Sequence, residues 1–184
     1  MIEEYKKIFK KAYAYMDEAV LDGNCGELCN YICCNPDCND GEEMGIYFMP
    51  YEYECLHEDN PIFNKEKIER HNSEDYYLTE KIDFLLYGYC DSTFECNRKL
   101  RPIQCRTYPL IPHIKNKKLQ LVIEKQNIFN CPLPDMFDQW RKEYIDGIYK
   151  GWQELIKIKE IYDLLEFDSL GREYEGNILR VIIE

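Results

Sequence analysis

Cysteine is the residue whose distribution most constrains how this chain folds. Five thiols fall between Cys25 and Cys38, more than a hydrophobic core would need there, and a second group runs from Cys90 to Cys105. A long stretch of chain separates the two groups, so a site that uses both has to be assembled by folding. We therefore expect the cysteines to organise the fold as well as the function.

The ten cysteines are interpreted as metal ligands or redox groups rather than as disulfides, because the chain is expected to be cytoplasmic. No apolar run approaches the roughly 20 residues needed to span a bilayer, and Met1 leads into an amphipathic pattern rather than a signal-peptide core. In a reducing cytosol structural disulfides are rare. Because ten is an even number, a disulfide framework stays open as the alternative.

The net charge of −12 opposes nonspecific binding to nucleic acid or to an anionic membrane surface, since like charges repel at long range. We therefore expect neither as a partner. A length of 184 residues fits one compact domain with a real core. We assign residues 22–131 to a cysteine-cluster core and residues 134–184 to a helical extension packed on it.

The first cysteine group has helical spacing, with Cys25, Cys29 and Cys33 at positions i, i+4 and i+8. If this segment is helical, the three thiols share one face, with neighbouring Cβ atoms about 6 Å apart. Pro36 would end such a helix, and Cys38 would reach back from the following loop. The segment would then offer two ligands to one metal.

The hydropathy pattern predicts a mainly helical α+β domain. A helix is expected over residues 2–21, and an aromatic stripe over residues 137–165 keeps helical period for about thirty residues. Alternation predicts a small β-hairpin near residues 110–124 and a short strand within residues 45–56. Residues 169–184 fit either a strand or a helix. The predicted architecture is helices around a cysteine-ligated metal centre, with the hairpin nearby.

Three residues outside the cysteine groups are given structural roles. Cys55 stands alone in an aromatic segment and is expected to be a buried core thiol. His57 and His71 each lack a partner histidine or cysteine at ligand spacing. Both are therefore expected to be solvent-exposed polar residues rather than metal ligands.

Thiolates are soft anionic ligands, and four of them satisfy a tetrahedral zinc ion or the four irons of a cubane cluster. More cysteines lie in or beside the two groups than one such site needs. Spacing does not decide whether the remainder hold a second metal, resolve oxidised sulfur or only pack. The candidate ligands are Cys25, Cys29, Cys33, Cys34, Cys38, Cys90, Cys96, Cys105 and Cys131.

Arg101 and Arg106 accompany the second group. Four thiolates around a zinc ion or an oxidised four-iron cluster leave roughly two negative charges, which are costly to bury alone. We expect the two guanidinium groups to offset that charge and to donate hydrogen bonds to sulfur, which tunes ligand basicity and reduction potential. The alternative is that both arginines pair with surface carboxylates.

These residues resemble a known family. Two segments carry the resemblance: Cys29-x3-Cys33-Cys34, and Cys90-x5-Cys96-x4-Arg101-Pro102-x2-Cys105-Arg106-x-Tyr108-Pro109. The pattern is similar to that of the bacterial YkgJ-like CxxCxxCC proteins, described as zinc- or iron-chelating, although three residues rather than two separate the first cysteines here. The resemblance implies a cysteine-ligated metal or iron–sulfur centre. It carries the ligand role onto Cys25, Cys29, Cys33, Cys34, Cys90, Cys96 and Cys105.

The first group is also similar to the cysteine-rich part of flagellin lysine N-methylases, where a comparable stretch accompanies a cysteine before a Tyr-Pro pair. That resemblance implies methyl transfer. The sequence shows no Gly-rich strand-turn-helix suited to S-adenosylmethionine, so methyl transfer stays an alternative.

We therefore predict a metal-binding protein with a redox or structural role. An iron–sulfur cluster is preferred to zinc, because all-sulfur ligation with spare thiols and flanking arginines suits electron transfer. One alternative is a zinc site that stabilises a protein-interaction module. Another is a thiol enzyme in which His113 meets Cys105 across the hairpin. Whether the protein is an enzyme stays open, as does the identity of any protein partner.

Overall fold

A computed structural model of the chain describes residues 2–33, 45–76, 78–90, 97–126 and 130–183. These ranges combine α-helices and β-strands with shorter helical turns. The helices are α1 (Ile2–Tyr15), α2 (Ser73–Tyr76), α3 (Ile103–Thr107), α4 (Lys142–Leu155) and α5 (Lys159–Tyr174). The strands are β1 (Gly45–Tyr47), β2 (Phe63–Asn72), β3 (Phe84–Cys90), β4 (Ile111–Lys115), β5 (Lys118–Glu124) and β6 (Ile178–Ile183).

The strands form two antiparallel sheets of three strands each. The first has the order β1-β3-β2 and the second the order β4-β5-β6. At the hairpin of the second sheet, Asn116 and Lys117 adopt positive φ of 50° and 63°, the conformation that a two-residue turn matched to strand twist requires. This turn pairs Lys115 with Lys118 and so sets the register of β4 and β5.

The main core forms where α1 packs on α4 and where α4 and α5 pack on the second sheet. Phe9 of α1 and Ile148 of α4 are both completely buried. The helices cross so closely that a Cβ atom on Gly147 would lie 2.3 Å from the Tyr15 carbonyl oxygen. Because main chain cannot move aside as a flexible side chain can, this crossing requires glycine.

The prediction of a mainly helical domain with one small hairpin around a cysteine-ligated metal centre is wrong. The hairpin near residues 110–124 is present, but it forms two strands of a three-stranded sheet, and a second sheet of three strands accompanies it. Strand formation depends on distant pairing partners, which a local pattern does not reveal. The ranges described here also contain no group of three or more His, Cys, Asp or Glu side chains placed to hold a metal ion.

Element boundaries also differ from the sequence-based expectations. Helix α1 ends at Tyr15 rather than near residue 21. The aromatic stripe over residues 137–165 is divided between a 3₁₀ segment (Leu133–Gln139), α4 and α5, because Ile158 adopts an extended conformation between the two α-helices. After β1, the predicted strand gives way to a π-helical turn, Tyr53–His57.

The predicted division into a cysteine core and a helical extension stays a prediction. Buried residues of α1, α3, α4 and α5 belong to a single hydrophobic cluster. A smaller cluster of Phe48, Ile62 and Phe63 packs against the first sheet. Among the described ranges no helix is both long and apolar enough to cross a membrane.

Candidate metal centre

The first cysteine group begins in a 3₁₀ turn, Cys25–Leu28, which Asn24 caps by accepting a hydrogen bond of 3.2 Å from Gly26 N. Asn30 and Tyr31 then adopt positive φ of 52° and 58°, and Tyr31 N donates to Gly26 O at 2.8 Å. Consecutive left-handed residues are incompatible with a right-handed helix. The segment is therefore a compact loop, and the thiols do not share a helical face.

Cys131 lies far along the chain, but folding brings it to this loop. Its side chain is buried in the main core, and burial raises the pKa of the thiol to about 11. A backbone hydrogen bond from Leu133 lowers this pKa, whereas the charges of Cys29, Cys33 and Cys25 raise it. The four cysteines therefore lie in one neighbourhood, although no three of them are placed to hold a metal ion. We call this group the thiol cluster: Cys25, Cys29, Cys33 and Cys131.

Tyr144 links the thiol cluster to α3. Burial raises the pKa of its hydroxyl, the charge of Arg98 opposes the rise, and the charges of Cys25 and Cys131 add to it. The same hydroxyl donates a hydrogen bond of 2.5 Å to Thr107 O. Since Thr107 is the last residue of α3, Tyr144 is bonded to the C-terminal end of this helix.

The other predicted ligands are placed differently. Cys105 is half-buried on α3, where its charge acts on Tyr13. Burial and Glu52 raise the pKa of the Tyr13 hydroxyl, and the charge of Cys105 raises it further. Cys90 ends β3 and packs against the smaller hydrophobic cluster. Three predicted ligands lie outside the described residues: Cys34, Cys38 and Cys96.

Arg106 is almost completely buried and holds the second cysteine segment to the end of α1. Its Nε donates to Arg101 O and its Nη2 to Lys99 O, both at 2.8 Å, while Nη1 donates to Asp17 Oδ1 at 3.2 Å. The guanidinium carbon also lies 4.4 Å from the centre of the Tyr13 ring. These described contacts pair Arg106 with carbonyls, a carboxylate and a ring, and Arg101 is half-buried beside it.

A buried hydrogen-bond network joins α1, the π-helical turn and α3, and sequence reasoning missed it. The fully buried Glu52 accepts hydrogen bonds from Tyr13 Oη at 2.5 Å and from Met49 N and Ile103 N at 2.8 Å. The Tyr13 hydroxyl also lies 2.6 Å from His57 Nε2. Glu52 thereby caps α3, whose own N-cap makes no side-chain hydrogen bond. Glu52 and His57 are five residues apart, a spacing that a π-helical turn brings together and an α-helix does not. The network therefore leaves no helical pattern in the sequence.

The expectation that His57 and His71 are exposed is wrong. Only 3% of His57 and 7% of His71 is accessible to solvent. Asn60 Nδ2 lies 2.8 Å from His57 Nδ1. His71 lies between Tyr47 Oη at 2.7 Å and Glu69 Oε2 at 2.9 Å. Hydrogen-bond partners on both ring nitrogens let each histidine be buried at little cost.

The described contacts of His113 are with α5 rather than with Cys105. Arg172 Nη1 donates to His113 Nδ1 at 3.3 Å, and His113 Nε2 lies 3.5 Å from Glu173 Oε1. The ring is completely buried, and burial together with the Arg172 charge lowers its pKa. This arrangement does not support His113 as a base for Cys105.

Comparison with known proteins identified no relative of this chain. The chain matches no family model, no curated protein and no solved structure. The resemblance to YkgJ-like proteins accordingly depends on the cysteine, arginine and Tyr-Pro positions alone.

Proposed function

We propose that the chain is a cysteine-ligated metal-binding protein that carries an iron–sulfur cluster or zinc in a redox or structural role. The observation that carries the proposal is the thiol cluster, in which the charges of three thiols of one short loop act on the buried Cys131; binding would have to draw these thiols together, since no three of them are already placed to hold an ion. Four thiolates are the ligand set of a tetrahedral zinc ion or a four-iron cubane. The YkgJ-like pattern supports the same chemistry.

The thiol cluster runs from the core to the surface. Cys131 anchors it in the core, whereas Cys33 is exposed. Binding would deprotonate the thiols and draw the sulfurs to about 2.3 Å from a zinc ion. Cys105 on α3, Cys90, and the three cysteines outside the described residues remain further predicted ligands.

The iron–sulfur form is preferred to zinc on the grounds of charge. Burial lowers the pKa of Arg98, and the charges of Arg106 and Arg101 lower it further, whereas Tyr144 and Asp17 raise it. Cations near an all-sulfur centre stabilise negative charge and tune reduction potential. A cytoplasmic setting, which keeps thiols reduced, belongs to the same proposal, as does the absence of nucleic acid and membrane partners from a chain of net charge −12.

The test is purification without oxygen, followed by iron, sulfide and zinc analysis, visible absorbance and electron paramagnetic resonance. We expect bound iron and sulfide in similar amounts and a brown protein. One equivalent of zinc without sulfide would overturn the cluster and leave the zinc-stabilised interaction module. Protein without any metal would overturn the proposal itself.

Two variants locate the site. Cys131→Ser is expected to lose most of the bound metal, because it removes the buried member of the thiol cluster. Cys55→Ser is the matched control, since Cys55 is the core thiol predicted from the sequence and confirmed at 3% exposure. Equal metal content in both variants would remove Cys131 from the ligand set. The methyl-transfer alternative requires that the protein bind S-adenosylmethionine, which a calorimetric titration measures.

A further inference from the structure

A cavity of about 190 Å³ lies where the first sheet meets the start of α5. Its walls come from residues after β1 and in the π-helical turn, from β3 and the residues just before it, and from Glu160 in the first turn of α5. A protein cavity of about 150 Å³ holds benzene, so this space accepts a molecule of about six non-hydrogen atoms. Its lining includes none of the predicted metal ligands.

Glu160 is the polar group that decides what this cavity can hold. Its Oε1 accepts a hydrogen bond of 3.1 Å from Tyr51 Oη. Its Oε2 is shielded from solvent and has no hydrogen-bond partner among the described residues. A carboxylate oxygen in this position has lost its hydration without a replacement, which is costly. A ligand that brings a donor would supply the missing hydrogen bond.

Tyr51 is held in a strained conformation at the wall of the cavity. Its φ of 68° lies in the left-handed region, which bulky side chains rarely adopt and which is concentrated at functional sites. Burial, together with the hydrogen bond to Glu160, raises the pKa of its hydroxyl to about 12. The hydroxyl is therefore protonated and donates to Oε1, which leaves Oε2 as the acceptor for a ligand.

The charged residues of the cavity favour a cation. Glu54 and Asp83 are exposed and line it together with Glu160. Lys81 also lines it, but its ammonium group is paired with Asp163 of α5 at 3.2 Å, so a carboxylate outside the cavity offsets its charge. No three described His, Cys, Asp or Glu side chains are placed to hold a metal ion. The carboxylates therefore suit an organic cation.

We propose that this cavity binds a small alkylammonium ion, with the ammonium group on Glu160 Oε2 and the alkyl chain against the apolar wall. An ammonium group has three donors and no acceptor, which matches an ionised carboxylate, an acceptor only. The wall includes the buried side chains of Met49, Ile82 and Leu85, so binding removes the hydrocarbon part of the ligand from water. The site contains none of the thiol cluster, and the inference therefore does not depend on the proposed function.

The experiment is a titration of the isotope-labelled full chain with n-butylamine at constant pH and ionic strength, followed by amide NMR shifts. We expect saturable shifts centred on Met49, Tyr51 and Leu85. n-Butanol has the same length without the charge and should bind at least about tenfold more weakly, and butyrate should bind more weakly still because the carboxylates repel it. Absence of saturable amine binding, shifts centred elsewhere, or butanol or butyrate binding as tightly as the amine would overturn the proposal.

A charge-removing variant assigns the binding to one carboxylate. Glu160→Gln is expected to weaken n-butylamine binding about 10- to 100-fold, the value of a hydrogen bond to a charged group. Glu175→Gln is the matched control, because Glu175 is exposed at the C-terminal end of α5 and the change in net charge is the same. Equal affinities in the two variants would overturn the site. If Glu160→Gln fails to fold, the comparison of amine, alcohol and acid on the wild-type protein still decides the question.

Discussion

Replacing Glu52 with glutamine tests whether the buried network holds α3 in place. The carboxylate is fully buried; Oε1 accepts from Tyr13 Oη and Ile103 N, and Oε2 accepts from Met49 N. Glutamine has nearly the same shape but only one acceptor oxygen. Whichever oxygen becomes the amide nitrogen, at least one buried backbone N–H then faces another donor.

The size of the effect follows from this count. A buried donor without a partner costs about 1–3 kcal/mol, and the hydrogen bonds that remain lose the contribution of the negative charge. We therefore expect Glu52→Gln to lower the free energy of unfolding by about 2–4 kcal/mol. Total stability of a domain is about 5–15 kcal/mol, so the variant should still fold. Glu52→Ala leaves the Met49 and Ile103 N–H groups unpaired, while Tyr13 Oη keeps His57 Nε2 within reach, and should cost about 2–6 kcal/mol.

Guanidinium chloride unfolding, followed by the fluorescence of the buried Trp140 and Trp152, measures the difference. Glu54→Gln is the matched control, because Glu54 is exposed in the π-helical turn that Glu52 directly precedes and should change stability by less than about 0.5 kcal/mol. If Glu52→Gln were as stable as this control, the buried carboxylate would not be holding α3 and the reasoning would be refuted.

Two further predictions concern packing and pH. Gly147→Ala places a Cβ atom 2.3 Å from Tyr15 O and should cost about 2 kcal/mol or more despite the better helix propensity of alanine. Gly171→Ala in α5 is the control, because a Cβ atom there meets nothing within 4 Å, and it should raise stability by about 0.5–1 kcal/mol. If both glycine variants shifted the melting temperature equally, the close crossing of α1 and α4 would be contradicted. The lowered pKa of His113 keeps the ring neutral in the folded protein while the same ring in the unfolded chain takes up a proton. The contribution of His113 to the free energy of unfolding is therefore constant above about pH 7, and it destabilises the fold as pH falls through about 6.5. Unfolding free energies across that range should therefore fall less steeply for His113→Asn, and identical slopes would refute this assignment.

Some of the fold and site follows from local sequence. The hairpin of β4 and β5 was predictable because Asn116 and Lys117 suit a turn between two alternating segments. Cys55 was predictable as a core thiol because aromatic residues surround it in sequence. The inclusion of Cys131 among the candidate ligands is consistent with its place in the thiol cluster, although coordination by any of these thiols stays a prediction.

The rest depends on contacts between distant residues. Glu52 and His57 look like surface residues in sequence, since hydropathy treats polar side chains as exposed, and only their partners on α1 and α3 allow them to be buried. In the sequence Arg98 is one of many charged residues, and only the fold shows that it donates hydrogen bonds to carbonyls at the end of α1. The strand β6 cannot be told from a helix because its pairing partner, β5, lies more than fifty residues earlier.

The residues just beyond α1 are the point from which the thiol cluster is assembled. Met16 O and Asp17 O accept from Arg98, and Val20 O accepts from Arg141 N at 2.9 Å, immediately before α4. The cysteine loop follows directly, and Cys131 is fixed by the core. Hydrogen bonds and buried contacts within the chain therefore hold these distant segments together. The proposed metal would draw the loop thiols towards Cys131 and so add its binding free energy to the stability of the fold.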